Sequence, residues 1–181
     1  MNLILCGMMG VGKTTVGVKI AELTGRRWFD TDEMIIDRHG NISDIFEYYG
    51  EEYFRRLESE IVKELAKMDN LIVSTGGGLV LKPENNSLLQ ENGKIIFLRA
   101  KPETLTERLK INENRPLLQG GGSGAIAAKL SELLRIRTPI YEIVSDFIVD
   151  VDGKTAEETA TEIVEIVQSS AEKMETNVAG V

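Results

Sequence analysis

Cysteine, long apolar runs and basic residues are all in short supply in this sequence, and each shortage closes off a class of protein. Cys6 is the only cysteine among 181 residues. No intramolecular disulfide can form, and the apolar stretch around Cys6 reads as buried packing rather than a reactive thiol. No uncharged apolar run approaches the roughly 18 residues that a membrane-spanning helix needs. The apolar start Met1 to Cys6 lacks the basic flank of a secretory leader and runs straight into glycines. A cytoplasmic location, away from any membrane, is the expectation. Basic residues are outnumbered as well: 21 Lys and Arg stand against 29 Asp and Glu, for a formal charge of -8. Such a surface is poorly suited to neutralising a nucleic-acid backbone. A small ligand suits the chain better, and it can still be anionic, because binding follows the local field in a cleft. With no coiled-coil repeat, a monomer is the expected state.

What the sequence does contain is one domain's worth of core, with 42% hydrophobic and 28% charged residues. Apolar, β-branched runs at Asn2 to Cys6, Leu71 to Ser74, Lys94 to Leu98 and Phe147 to Val149 predict short buried strands, with a weaker one at Arg27 to Asp30. Apolar residues recur at helical spacing in Lys13 to Leu23, Ile42 to Tyr49, Glu51 to Met68, Pro102 to Lys110, Ala125 to Tyr141 and Thr155 to Val167. Strands that alternate with helices predict a three-layer α/β/α domain around a parallel sheet, with ligands at the carboxyl ends of the strands. The expected domain covers residues 1–168. From Ser169 to Val181 the apolar period is lost, which predicts a frayed or disordered tail.

Gly7-Met8-Met9-Gly10-Val11-Gly12-Lys13-Thr14 fits the pattern G-x-x-x-x-G-K-S/T between a buried strand and a helix. Such a loop curls so that several backbone N–H groups, helped by the positive end of the helix, face one phosphate. Gly10, Val11 and Gly12 supply backbone. Lys13 is expected on the β- and γ-phosphates, Thr14 on Mg²⁺, and Thr15 on a phosphate oxygen. The chain is therefore expected to bind a nucleoside triphosphate, and the loop alone does not name an acceptor.

Three further clusters bear on the acceptor. Asp30-Thr31-Asp32 closes the second strand with two carboxylates at i and i+2. Asp30 can hold the hydration shell of Mg²⁺ and Asp32 can orient an attacking hydroxyl. The same residues could instead cap the next helix, which Asp32 could do for the segment starting at Glu33. Arg55 and Glu58 share a helical face within Phe54-Arg55-Arg56-Leu57-Glu58. They can form a carboxylate fork with a fixed rotamer, or a plain surface ion pair. Gly76-Gly77-Gly78 follows the third strand, where glycine permits either a close ligand or a tight turn. Residues 112–124, with Arg115, Pro116 and four glycines, have no periodicity and read as a lid or as an ordinary surface loop. Trp28 and Tyr141 read as packing, and His39 as the end of a helix.

Taken in order, these clusters resemble the hallmarks of the shikimate kinases: GxxGxGK(S/T), DxD, FRxxE, TGGG, RPLL at Arg115 to Leu118, and RxPxY at Arg137 to Tyr141. The resemblance runs from Leu3 to about Asp150. It implies a P-loop fold like that of the nucleoside-monophosphate kinases, with a five-stranded parallel sheet. It also implies ATP- and Mg²⁺-dependent phosphorylation of the 3-hydroxyl of shikimate, on the way to chorismate and the aromatic amino acids. By the same resemblance, Arg55 and Arg137 hold the shikimate carboxylate and Gly77 lends its backbone to the acceptor. Glu58 orients Arg55, with Gly76 and Gly78 beside them. The lid Arg115 stabilises the moving charge, Arg108 contacts the nucleotide, and acceptor-binding helices occupy about 31–60. Lys154 is a nucleotide contact in the adenine-side loop, where this chain has Ala156 in place of the proline of some relatives.

Overall fold

Along β1 (Asn2–Cys6) the side chains of Leu3 and Leu5 enter one apolar cluster, while those of Ile4 and Cys6 enter another on the opposite face. The same alternation divides Ile72 from Leu71 and Val73 in β3 (Leu71–Ser74), and Ile96 and Leu98 from Ile95 and Phe97 in β4 (Gly93–Arg99). Strands apolar in both directions must be covered on both faces. The computed structural model, which describes residues 1–110 and 123–178, shows that arrangement.

One face is covered by α1 (Lys13–Thr24), α5 (Pro102–Lys110) and α7 (Ala156–Val178), through Val16, Ile20, Leu105, Leu109, Ile163 and Val167. The other is covered by α2 (Thr31–His39), α3 (Ile42–Leu65) and α4 (Pro83–Glu91), through Ile35, Phe54, Ile61, Val62 and Leu89. α6 (Ser123–Val144) serves both faces, with Leu130 in the first cluster and Tyr141 in the second. Each fully buried Leu, Ile or Phe contributes about 1.5–3 kcal/mol, so the two faces supply most of the driving force for folding.

The sheet has five strands in the order β2-β3-β1-β4-β5, with β2 at Arg27–Asp30 and β5 at Phe147–Asp150, and every pairing is parallel. β1 is therefore central, and the strands beside it leave their carboxyl ends along one edge. In register, Ser74 pairs with both Leu5 and Asp30. The loops after β1, β2 and β3 thus emerge side by side, where open α/β sheets place their ligands. Among the described residues no helix is long and apolar enough to cross a membrane.

Some elements differ from the sequence expectation. α3 bends at Gly50 (φ 80), which separates the two helical segments expected at Ile42 to Tyr49 and Glu51 to Met68. α6 continues through Pro139 to Val144. α7 runs on to Val178, so residues 169–178 are helical rather than frayed, while 179–181 lie outside the described residues. Past Val167 the described side chains of α7 are mostly exposed. Intrinsic propensity in this Ala- and Glu-containing stretch, more than packing, carries the helix forward.

α1 and β3 meet at a tight point. A methyl group on Gly17 would lie 2.5 Å from Ser74 Oγ and 2.6 Å from Trp28 Nε1. Trp28 Nε1 donates to Ser74 Oγ at 3.0 Å, and Ser74 Oγ donates to the Lys13 carbonyl at 2.9 Å. Gly17→Ala gains about 0.8–1 kcal/mol of helix propensity but incurs an overpacking penalty of about 1–3 kcal/mol. Thermal unfolding followed by circular dichroism should show a lowered Tm. A raised Tm would mean that the indole can step aside.

Candidate active site

From Cys6 the chain curls through Gly7, Gly10 and Gly12, with φ of 137°, 81° and 103°, into the first turn of α1. This backbone region is open mainly to glycine. Lys13 Nζ donates to the carbonyls of Gly7 at 2.9 Å and Met8 at 3.1 Å, which holds the ammonium against its own loop. The loop opens on a cleft of about 480 Å³ lined by Gly10 to Val16 together with Arg108, Val151 and residues 154–156 and 159. Arg108 reaches in from α5 and donates to the Val11 carbonyl at 2.8 Å. Lys154 lines the cleft, but its Nζ is paired with Glu162. Thr155 and Glu158 form a reciprocal cap at the start of α7: Thr155 N–H donates to Glu158 Oε2 at 2.8 Å, and Glu158 N–H to Thr155 Oγ1 at 3.1 Å. Ala156 is the first helical residue, where proline is also accommodated, so the difference from proline leaves the cap intact.

The two carboxylates of the second strand divide their work in an unexpected way. Asp30, and not Asp32, caps α2: its Oδ1 accepts from the N–H groups of Asp32 at 3.0 Å and Glu33 at 3.4 Å. Its Oδ2 accepts from Thr14 Oγ1 at 2.7 Å, which joins the phosphate loop to the end of β2. The Asp32 side chain is thereby spared from capping and lies half-buried beside Gly76 and Glu58. Among the described residues no three His, Cys, Asp or Glu side chains converge on a metal cage.

Each glycine of the triplet faces a different charged group. A methyl on Gly76 would run into Asp32 Oδ1 and lie 3.1 Å from Glu58 Oε1; one on Gly77 would lie 3.6 Å from Arg137 Nη1; one on Gly78 would lie 2.7 Å from Arg55 Cζ. None of the three has a left-handed φ. Close approach, rather than turn conformation, therefore requires glycine at positions 76 and 78, whereas a methyl on Gly77 would make only ordinary contacts. Arg55 Nη1 donates to Glu58 Oε2 at 2.7 Å, and Nη2 to Glu51 Oε1 at 2.7 Å. Arg137 is buried and Nη1 donates to the Gly77 carbonyl at 3.3 Å. Because α6 continues past it, this arginine is not a last-turn cation compensating the helix dipole.

Two hydroxyls that the sequence reading did not assign also reach the triplet. Tyr141 packs its ring against Phe97, as expected, and in addition donates its hydroxyl to the Gly77 carbonyl. Burial raises its pKa, so it stays a donor. Thr31 Oγ1 accepts from the Gly76 N–H at 2.8 Å. The spacing of Tyr141, four residues after Arg137 on one helix face, was the available signal. Cys6 is wholly buried, and burial pushes its thiol up to about 12, so it is inert packing.

Glu58 is only 1% exposed, and its Oε1 has no hydrogen-bond partner among the described residues. Burial raises its pKa from an ordinary 4.5 to about 7; Arg55 and Arg137 pull it down, and Asp32 pushes it up. A carboxyl raised in this way binds its proton more tightly when folded. The resulting stability is fully present below about 4.5 and is lost as pH climbs through about 7. In denaturant titrations, the unfolding free energy of the wild type relative to Glu58→Gln should therefore fall across that interval. A flat difference would contradict the assignment.

Residues 111–122, which include Arg115 and nearly all of the expected lid, lie outside the described residues; Ser123 and Gly124 already belong to α6. Comparison with known proteins agrees with the geometry above. The family model for shikimate kinase matches residues 9–168. A shikimate kinase of Caldicellulosiruptor bescii is 42% identical over 166 residues, covering 91% of this chain and 94% of that one. One of Thiobacillus denitrificans is 46% identical over 150 residues, covering 82% and 80%. Among solved structures, the shikimate kinase of Acinetobacter baumannii in complex with shikimate superposes with a TM-score of 0.87 at 36% identity, covering 93% of each chain. With its phosphate loop, acidic strand end and arginine-flanked glycine triplet on one edge of a parallel sheet, the chain belongs to the shikimate kinase family.

Proposed function

We propose that the chain transfers the terminal phosphoryl group of ATP to the 3-hydroxyl of shikimate, giving shikimate 3-phosphate and ADP. One observation carries this reading: Asp32, Arg137 and Arg55 each abut one glycine of a single turn on the strand next to the phosphate loop. That turn offers backbone and two guanidiniums to a carboxylate, and a carboxylate base to a hydroxyl, within one small space. A hydroxylated ring acid presents both groups.

Arg55, held by Glu51 and Glu58, and Arg137, held at Gly77, take the acceptor carboxylate as planar forks. Asp32 accepts a hydrogen bond from the attacking hydroxyl, orients it and receives its proton as the oxygen bonds to phosphorus. Lys13 exchanges the carbonyls of its own loop for phosphate oxygens, and the N–H groups of Gly10 to Thr15 cradle the same anion. Arg108 borders the nucleotide, Lys154 lies near the base, and Arg115 neutralises charge on the group in transit.

Thr14 Oγ1 and Asp30 Oδ2 are hard oxygen donors already 2.7 Å apart at the mouth of the loop. They fit Mg²⁺, which takes few protein ligands and keeps several waters. Thr14 and Asp30 would hold the ion, which would supply positive charge to offset that of the phosphates. The reading includes a single kinase domain over residues 1–168 with the acceptor half at about 31–60. It also includes a monomer in the cytoplasm, in keeping with the acidic composition.

A coupled ADP assay should show turnover with shikimate and none above buffer with gluconate or AMP; the opposite preference would overturn the substrate. Lys13→Ala and Asp32→Asn should each slow single-turnover transfer by about 10²-fold or more. Near wild-type rates in both would overturn the mechanism. In steady state, Arg55→Ala should mainly raise the KM for shikimate, whereas Arg115→Ala should mainly lower kcat.

A further inference from the structure

Gly77 is gripped in part by a group that no step of the proposed reaction uses. Its carbonyl accepts from the Tyr141 hydroxyl as well as from Arg137 Nη1. One residue earlier, the Gly76 N–H donates to Thr31 Oγ1 at 2.8 Å, and the Gly76 carbonyl accepts from the Leu79 N–H at 3.2 Å. A planar peptide whose carbonyl is tied has its N–H direction tied too. The bond at the Gly76 carbonyl therefore aims the Gly77 N–H, and the bonds at the Gly77 carbonyl fix the next plane. Three successive glycines have no intrinsic means of holding those planes, since glycine populates more of φ/ψ space than any other residue.

Both hydroxyls are shut away from solvent and bonded to the backbone of the turn. Thr31 and Tyr141 are fully buried. Thr31 lies between the two acidic residues at the start of α2, so its bond ties the element carrying Asp32 to the triplet. Tyr141 comes from α6, the element carrying Arg137, and shares the carbonyl that Arg137 touches. A guanidinium has five donors, and a carbonyl already served by the tyrosine draws on only one of them.

We infer that the Tyr141 and Thr31 hydroxyls are positioning groups for the acceptor, holding the Gly76–Gly77 backbone in register with Asp32 on one side and Arg137 on the other. This rests on the acceptor site proposed above. The hydroxyls are fully buried and so are not presented to either substrate. Losing one loosens the turn and weakens shikimate binding while leaving the phosphate loop, on the neighbouring strand, as it was.

The test compares Tyr141→Phe, Thr31→Val, Thr31→Ser and Arg55→Ala with the wild type, measuring both KM values, kcat and Tm. Tyr141→Phe keeps the ring against Phe97 and Thr31→Ser keeps the hydroxyl. Tyr141→Phe and Thr31→Val should raise the KM for shikimate about tenfold, the worth of one buried hydrogen bond. They should leave the KM for ATP within about twofold, and Thr31→Ser should behave as wild type. A purely structural role would lower Tm without separating the two KM values, and that result overturns the inference. So does an unchanged KM for shikimate in folded Tyr141→Phe. If Tyr141→Phe does not fold, the Thr31→Val and Thr31→Ser pair decides the matter. If Arg55→Ala also leaves the KM for shikimate unchanged, the acceptor site falls and the inference with it; if Arg55→Ala alone raises it, only the inference falls.

Discussion

The cluster of charged groups around the glycine triplet depends on a stretch of backbone with nothing projecting from it. A single methyl group would displace the Asp32 carboxylate at Gly76 and the Arg55 guanidinium at Gly78, so these two charged groups come this close to the turn only because the main chain there is bare. The strand order makes this local fact consequential. With β1 between β3 and β4, and β2 beyond β3, the phosphate loop, the acidic strand end and the bare turn are neighbours by topology. Asp30 then joins the first two through Thr14, and Thr31 joins the second to the third. The site is a consequence of parallel pairing, reinforced by a few short polar bonds.

Charge is arranged against the grain of the composition. A chain with a formal charge of -8 gathers Lys13, Arg55, Arg108 and Arg137 along one edge of its sheet, where the local field and not the net charge decides what can bind. Arg55 is held by Glu51 and Glu58, so the carboxylates there fix a cation's direction as much as they oppose its charge. Glu58 bears the cost of that role. It is buried almost completely, and the pull of two arginines does not offset the loss of water around it.

The features legible in the sequence were those with a strong period or a rigid pattern. The strands that are apolar on both faces, the phosphate loop and the break at Gly50 all follow from residue type alone. α4 escaped notice because its pattern is inverted: Asn85 and Asn86 are buried, and their amides donate to the carbonyls of Leu79 and Val80, so polar residues occupy the positions where apolar ones mark a helix. The cap on α2 fell to Asp30 rather than Asp32 because the capping side chain precedes the first helical turn by its own geometry, which spacing of carboxylates does not reveal. Tyr141 was legible as packing but not as a donor, since the carbonyl it reaches lies 64 residues away in the chain. The extended α7 shows the reverse limit: loss of an apolar period marks the end of packing, not the end of the helix.

Trp28 is the chain's single tryptophan. Its indole N–H is bonded to Ser74, whose hydroxyl is bonded in turn to the carbonyl of Lys13, with Gly17 leaving just enough room. Indole emission responds to its hydrogen bonding and polarity, so one native fluorophore stands two bonds from the lysine at the phosphate loop. Any rearrangement of the backbone at Lys13 therefore has a hydrogen-bonded route to the indole, and no second tryptophan shares its signal.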